Sequence, residues 1–359
     1  MQHRQPPLSR TSDSLIGRVV SDRYRIVRKL GEPGLAGLYL AEHLLVNRNV
    51  ALKIILPEVR RPDVLRAFLD DARTLARIGH ENIVEILCCG QSPEDFVFVA
   101  TEHLEGETLR ALLGREGPLA WSRARPIARQ IAAALAPVHE HRIVHRDLNP
   151  ENVFLTARNG SREFVKLLNF GVAHLTTAAL EEGQTGSGQL CSAPPYVSPE
   201  VALAQPVDQR ADIYSFGCVL YEILTGAPPF VGRSAVDVIN KHIQERPTPM
   251  RQRRPDLEIG ADVDAVVMRA LDKDPERRFP TIADMFDALD QCKSPNRLIA
   301  LATEGVAAGV AAARGDEHRA GIAKARPTSS LRLRVARATL IAALSGAAAA
   351  AVYTALHGL

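Results

Sequence analysis

The sequence has few cysteines, few aromatic residues and little net charge. Its five cysteines are an odd number without CxxC spacing, which argues against both a disulfide framework and a zinc site. The formal net charge of +3 is too small to favour nucleic-acid binding, and no basic run interleaves with aromatics. Residues 1–14 contain no apolar run and therefore cannot form a secretory signal. We expect a protein of the reducing cytoplasm that binds no nucleic acid.

The order of strand-like and helical segments along the chain predicts an α+β fold in two parts. Residues 1–20 are polar and are interpreted as a flexible leader. From Tyr24 onward, short runs of branched apolar residues alternate with turn signals, which is typical of antiparallel strands. The segment RAFLDDARTLARIGH then has helical spacing, and after Trp121 five further segments do as well. These five are RARPIARQIAAALAPVHEH, ADIYSFGCVLYEILTG, SAVDVINKHIQ, ADVDAVVMRALDKD and TIADMFDALDQC.

The C-terminal region has a different character. Residues 292–337 lack clean periodicity and are interpreted as a linker. Residues 338–359 carry no formal charge and approach the roughly 20 residues that a helix needs to cross a bilayer. Arg332, Arg334 and Arg337 precede them, and positive charge favours the cytoplasmic side of a membrane. We expect a C-terminal transmembrane helix that anchors a cytoplasmic domain; the alternative is a soluble alanine-rich helix.

Six short motifs occur in a fixed order, and together they resemble the protein kinase superfamily, most closely the bacterial serine/threonine kinases of eukaryotic type. They are VALK at 50–53, HRDLNPEN at 145–152, NFG at 169–171, SPE at 198–200, DIYSFG at 212–217 and DPERRF at 274–279. The resemblance covers residues 21–291. It implies a bilobal fold, with a small antiparallel β-rich N-lobe carrying one helix and a larger, mainly helical C-lobe.

The resemblance also assigns roles to individual residues. Lys53 matches the lysine that grips the nucleotide phosphates, Asp147 the carboxylate that orients the acceptor hydroxyl, and Asn152 an amide ligand of the metal. Asp71 stands where a helix glutamate pairs with the strand lysine. The remaining nucleotide-binding positions are Leu30, Gly31, Gly34, Leu38, Ala51 and Phe154, with Thr101 at the rear and Glu102 to Leu104 at the hinge.

Other matches concern the scaffold rather than the chemistry. Glu200 is expected to pair with Arg278, and Asp212 is expected to accept backbone hydrogen bonds from the catalytic loop. Three residues match members of the stack that links the two lobes. They are Leu75, His145 and Phe170.

The departures from the family pattern lie at positions that bind the metal or the phosphates, or that support the catalytic loop. Asn169 replaces the aspartate that chelates magnesium, and a neutral amide is a weaker ligand for a hard cation. Asn149 replaces the catalytic-loop lysine, and Asp71 is one methylene shorter than glutamate. In the glycine loop, Pro33 and Ala36 replace two glycines, and Ala193 replaces a threonine near the catalytic loop. A magnesium or manganese site built on Asn152 and Asn169 is therefore expected to be weakened.

Three functional hypotheses follow. The first is a pseudokinase, a catalytically impaired signalling scaffold or switch that can still bind ATP. The second is an active ATP-dependent serine/threonine kinase that transfers the γ-phosphoryl group to protein hydroxyls. The third is a structural membrane-associated module that binds no nucleotide. The first two imply a protein substrate or a protein partner.

Overall fold

The computed structural model describes residues 15–31, 36–55, 62–92, 96–158, 160–170 and 193–292. The predicted linker and the predicted transmembrane helix lie outside the described residues, apart from Cys292. Within the described ranges, no helix is both long and apolar enough to cross a membrane.

The N-terminal part, or N-lobe, is a six-stranded antiparallel sheet in the order β1-β2-β3-β4-β6-β5. Its strands are β1 (Val19–Val20), β2 (Tyr24–Lys29), β3 (Ala36–His43), β4 (Arg48–Ile55), β5 (Ile86–Gln91) and β6 (Val97–Glu102). The predicted strand-rich part is thus present.

The sheet begins inside the segment that was expected to be a flexible leader. Leu15 is 3% exposed and packs into the core of the sheet, and Val19 and Val20 form β1 against β2. A strand of two residues is too short to show the alternation by which longer strands are recognised in a sequence. The boundary at residue 20 therefore could not be placed from the pattern alone.

Alternating side chains explain how the sheet packs. In β2, Tyr24 and Ile26 are buried while Arg25 and Val27, which alternate with them, are exposed, as a half-buried strand requires. The helix α1 (Pro62–Ile78) covers part of the sheet with buried residues at helical spacing. These residues are Phe68, Leu69, Ala72 and Leu75, and the first three cluster with Ile55, Val97 and Val99 of the sheet.

The C-terminal part, or C-lobe, is mainly helical, with a small sheet of β7 (Gly106–Thr108), β8 (Val153–Arg158) and β9 (Ser161–Leu167). The helices are α2 (Leu109–Glu116), α3 (Trp121–Glu140), α4 (Pro199–Ala202), α5 (Arg210–Thr225), α6 (Ala235–Gln244), α7 (Met250–Arg253), α8 (Ala261–Ala270) and α9 (Ile282–Asp290). All five helical segments expected after Trp121 are present, as α3, α5, α6, α8 and α9.

The helix α5 forms the centre of the C-lobe. Every residue of it after Arg210 is buried, so the helix lies in the interior of the lobe with its few polar side chains enclosed. It ends at Gly226, whose φ of 84° is the left-handed conformation that glycine adopts at no steric cost. Because α5 is enclosed by its neighbours, Asp212 in its first turn is held rigidly beneath the catalytic loop.

Candidate functional site

A cleft of about 460 Å³ lies between the N-lobe sheet and the C-lobe. Leu30, Leu38 and Ala51 line it from the sheet, and Phe154 on β8 lines it from the C-lobe. A mostly apolar cleft of this volume is typical of a site for a small planar molecule. The structure thus brings the predicted adenine-binding residues together.

The hinge between β6 and β7 borders the same cleft through Thr101, Glu102, His103 and Leu104. The Glu102 carboxylate is engaged elsewhere, because it accepts a hydrogen bond from Lys166 Nζ at 2.6 Å and from the Glu85 backbone N–H at 2.9 Å. The Glu102 side chain is therefore engaged outside the cleft, and the predicted contact between the hinge backbone and a ligand stays a prediction. Sequence reasoning missed Lys166; its signal was a lysine inside the apolar strand EFVKLL.

A chain of hydrogen bonds crosses the inner end of the cleft. Lys53 Nζ donates to Asn169 Oδ1 at 3.0 Å, and Asn169 Nδ2 donates to Asn152 Oδ1 at 2.7 Å. Asn152 Nδ2 in turn donates to the Asp147 backbone oxygen at 2.6 Å and to Asp147 Oδ2 at 3.0 Å. Four residues far apart in the sequence are therefore joined in one network.

The Lys53 side chain is held in a partly buried position. Burial lowers the pKa of its ammonium group to about 8, and the nearby Asp147 carboxylate opposes that shift. Asn169, its hydrogen-bond partner, supplies a neutral oxygen. Its backbone φ is 63°, a left-handed conformation that asparagine tolerates better than most residues.

The Asn149 side chain folds back onto its own loop. Its Nδ2 donates to the Asp147 backbone oxygen at 2.9 Å and to Asp147 Oδ1 at 3.1 Å, while its Oδ1 accepts from the Glu151 N–H at 2.9 Å. Asn149 is 4% exposed. A lysine, which cannot accept a hydrogen bond, would be unable to make the contact with Glu151. Asn149 therefore acts here as a loop-stabilising residue, and both Asp147 carboxylate oxygens accept an amide hydrogen.

Asp212 fixes the backbone of the catalytic loop. Its carboxylate accepts from the His145 and Arg146 N–H groups at 2.8 and 2.9 Å and contacts His139 Nε2 at 2.8 Å. Burial alone would raise the pKa of Asp212, but the bonds from His139 and the loop lower it below its ordinary value. The expected role of Asp212 is confirmed.

The stack that links the lobes is assembled. The rings of His145 and Phe170 lie 4.4 Å apart, and Leu75 from α1 belongs to the same buried cluster as Phe170. His145 Nε2 also contacts the Leu168 carbonyl oxygen at 2.9 Å, and burial lowers the pKa of the imidazole. The two lobes are therefore connected next to the cleft.

The remaining predicted site residues are Gly31, Gly34 and Asp71. Gly31 is exposed and is not among the residues that line the cleft, and a Cβ atom added there would meet no other atom within 4 Å. Asp71 on α1 is not among the residues that line the cleft. Gly34, together with Pro33, lies outside the described residues.

The cleft fits an adenine nucleotide better than it fits a metal. The apolar walls, the hinge backbone and Lys53 provide what a base and its phosphates need. The donor set for magnesium consists of two neutral amides, Asn152 and Asn169, whose oxygens already accept hydrogen bonds. In the part of the chain that the structure describes, no three His, Cys, Asp or Glu side chains come together to hold a metal. The described residues at this position therefore do not fit a divalent cation.

Comparison with known proteins agrees with the fold and the cleft. The family model described as protein kinase domain matches residues 24–288. The serine/threonine-protein kinase Pkn3 of Myxococcus xanthus is 34% identical over 280 residues, which cover 77% of this chain and 51% of Pkn3. PknB of Mycobacterium tuberculosis is 37% identical over 272 residues, covering 74% of this chain and 42% of PknB. The chain thus spans about half or less of these relatives.

The crystal structure of the PknI kinase domain of Mycobacterium tuberculosis superposes with a TM-score of 0.59 and 27% identity. The match covers 77% of this chain and 97% of that domain. Because the family model spans most of the chain, and the order of lobes, hinge and catalytic loop agrees with it, the assignment rests on both sequence and structure. The chain belongs to the protein kinase family and contains a serine/threonine protein kinase domain of the bacterial, eukaryotic-like type.

Proposed function

We propose that this kinase domain is a nucleotide-binding scaffold or switch in which phosphoryl transfer is weak or absent. One observation carries the proposal. At the position where the family places its metal-chelating carboxylate, the Asn169 amide is engaged between Lys53 Nζ at 3.0 Å and Asn152 Oδ1 at 2.7 Å.

Phosphoryl transfer needs the phosphates held, their charge neutralised and the acceptor hydroxyl aligned. Lys53 supplies part of the hold on the phosphates, and Asp147 supplies the group that aligns the acceptor hydroxyl. Neutralisation depends on anionic oxygens that hold magnesium, and the amides here provide none. Each 1.36 kcal/mol of lost transition-state stabilisation lowers the rate by about tenfold, so a loss of several kcal/mol removes most activity.

An active ATP-dependent kinase is the second candidate. It is favoured by the joining of Lys53, Asp147 and Asn152 in one network, and by the complete scaffold beneath the catalytic loop. The curated relatives are also named as serine/threonine kinases. This candidate requires a carboxylate from outside the described residues to reach the metal position.

A radiolabelled ATP assay on the full chain separates the two candidates. Autophosphorylation and transfer to a generic protein substrate are measured with magnesium and, separately, with manganese. We expect the native chain to give little or no more label than the Asp147→Ala variant, which sets the background. Robust transfer that Asp147→Ala abolishes would instead establish the active kinase.

We further propose that the domain is held on the cytoplasmic side of a membrane by residues 338–359. The support is the uncharged sequence preceded by Arg332, Arg334 and Arg337. The full chain should sediment with membranes and resist extraction by high salt, whereas a chain ending at residue 337 should remain in the supernatant. Recovery of both chains in the supernatant would refute the anchor.

A further inference from the structure

We infer that the cleft binds an adenine nucleotide without a divalent cation. The inference rests on the nucleotide binding proposed above and specifies its chemistry. It starts from the direction of the hydrogen bonds among Lys53, Asn169, Asn152 and Asp147.

The two ends of this chain of hydrogen bonds fix its direction. Lysine can only donate hydrogen bonds, and a carboxylate can only accept them. Asn169 must therefore turn its oxygen toward Lys53 and its NH₂ group toward Asn152. Asn152 must then present its oxygen to Asn169 and its NH₂ group to Asp147. The orientation of both amides follows from their partners and needs no further assumption.

This direction places hydrogens where a cation would need oxygens. The NH₂ group of Asn169 lies 2.7 Å from Asn152 Oδ1, the atom through which that side chain would ligate a metal. A cation bound at that oxygen would face the positive end of an amide dipole. An aspartate at position 169 would offer two oxygens, one for Lys53 and one for a metal, whereas asparagine offers one.

Two acidic side chains line the cleft, Glu102 and Glu151, and each contacts other side chains of the protein. The Glu102 carboxylate pairs with Lys166 at 2.6 Å. The Glu151 carboxylate contacts Thr108 Oγ1 at 3.3 Å and Arg110 Nε at 3.8 Å, which directs it toward α2. The Asp147 oxygens accept from Asn149 and Asn152. The network is thus satisfied by amide hydrogens at the points where a magnesium ion would otherwise neutralise charge.

Without a metal, the cleft has little positive charge for a polyphosphate. Lys53 is the sole lysine or arginine among the described residues that line it. Residues 32–35 of the glycine loop and residues 171–192 contain no lysine or arginine either. Each further phosphate should then contribute little to the binding free energy, because unpaired charges near solvent are screened. We therefore expect the dissociation constants of ATP and ADP to agree within about threefold.

Isothermal titration calorimetry of the full chain with ADP, in EDTA and in magnesium chloride, tests the inference directly. For the native protein we expect dissociation constants that agree within about threefold, because the metal gains no protein ligand. For Asn169→Asp we expect magnesium to tighten binding by at least about tenfold, the equivalent of 1.36 kcal/mol. Asn240→Asp, the same change at an exposed position of α6, should behave as the native protein does.

Native binding that requires magnesium would overturn the inference while leaving the proposed nucleotide binding intact. It would mean that a carboxylate outside the described residues, such as Glu181 or Glu182, completes a metal site. Absence of heat with ADP, ATP and adenosine under both conditions would overturn the inference together with the nucleotide binding. The native measurements decide the matter even if Asn169→Asp fails to fold.

Discussion

The ion pair buried inside the C-lobe and the network at the inner end of the cleft pair their charged groups differently. Arg278 meets Glu200 through two bonds of 2.7 and 2.8 Å, so that a buried cation faces a buried anion. Lys53 meets the neutral Asn169, and the Asp147 carboxylate meets two neutral amides. The buried ion pair of the scaffold joins two opposite charges directly, whereas the charged groups of the cleft network hydrogen-bond to neutral amides.

The fold and the chemistry of the domain therefore depend on separate sets of residues. The five N–H donors of Arg278 are all used, by Glu200 and by three backbone oxygens of the C-lobe. No ligand is needed to satisfy them. The hydrogen-bonding groups of the cleft network are likewise satisfied by one another, through the amides of Asn149, Asn152 and Asn169.

The largest effect is expected from breaking the scaffold pair. Arg278→Met leaves the Glu200 carboxylate buried without its partner, and we expect a loss of about 3–5 kcal/mol in the free energy of unfolding. Urea unfolding of the full chain measures this loss. Arg25→Met is the matched control, because its 3.4 Å pair with Glu42 is exposed and should contribute less than about 1 kcal/mol. Equal losses in the two variants would show that the buried pair has no special role.

A smaller effect is expected from pH, through His242 on α6. Its imidazole lies 2.9 Å from the Tyr214 hydroxyl, and burial together with the Lys273 ammonium lowers its pKa to about 3. In the unfolded chain a histidine titrates near pH 6.5, so unfolding takes up a proton below that pH. The contribution of His242 to stability is therefore complete above about pH 6.5 and is lost progressively as the pH falls toward 3.

Comparison of the native chain with His242→Gln isolates this contribution. Between pH 6 and 4 (chosen to lie between the two pKa values), the native free energy of unfolding should fall more steeply than that of the variant, by up to about 1.4 kcal/mol per pH unit. Urea unfolding at several pH values provides the slopes. Identical slopes would mean that the imidazole becomes protonated in the folded C-lobe.

More of the fold than of the candidate site could be predicted from the sequence. Helical spacing identified α1, α3, α5, α6, α8 and α9, because each buries one stripe or its whole surface. Fixed motifs also identified the Glu200–Arg278 pair and the cleft walls. The strand β1 was not predicted, because two residues are too few to show the alternation of buried and exposed side chains.

Contacts between distant side chains could not be predicted. The pair between Lys166 and Glu102 and the cluster of Arg110, Glu222 and Tyr196 join elements that only the tertiary fold brings together. In the cleft, the sequence identified Asn149 and Asn169 as departures. It did not predict that Asn149 turns back to Asp147, or that Asn169 bridges Lys53 and Asn152, because amide orientation depends on every partner in the network.

We propose that phosphoryl transfer by this domain is weak or absent because an amide stands where the family places a metal-binding carboxylate. The most direct measurement is the magnesium-dependent rate of phosphoryl transfer by Asn169→Asp relative to the native chain. We expect the substitution to raise the rate by at least about tenfold, since one regained ligand is equivalent to 1.36 kcal/mol or more. A native chain that already transfers phosphate, at a rate that Asn169→Asp leaves unchanged, would contradict the account.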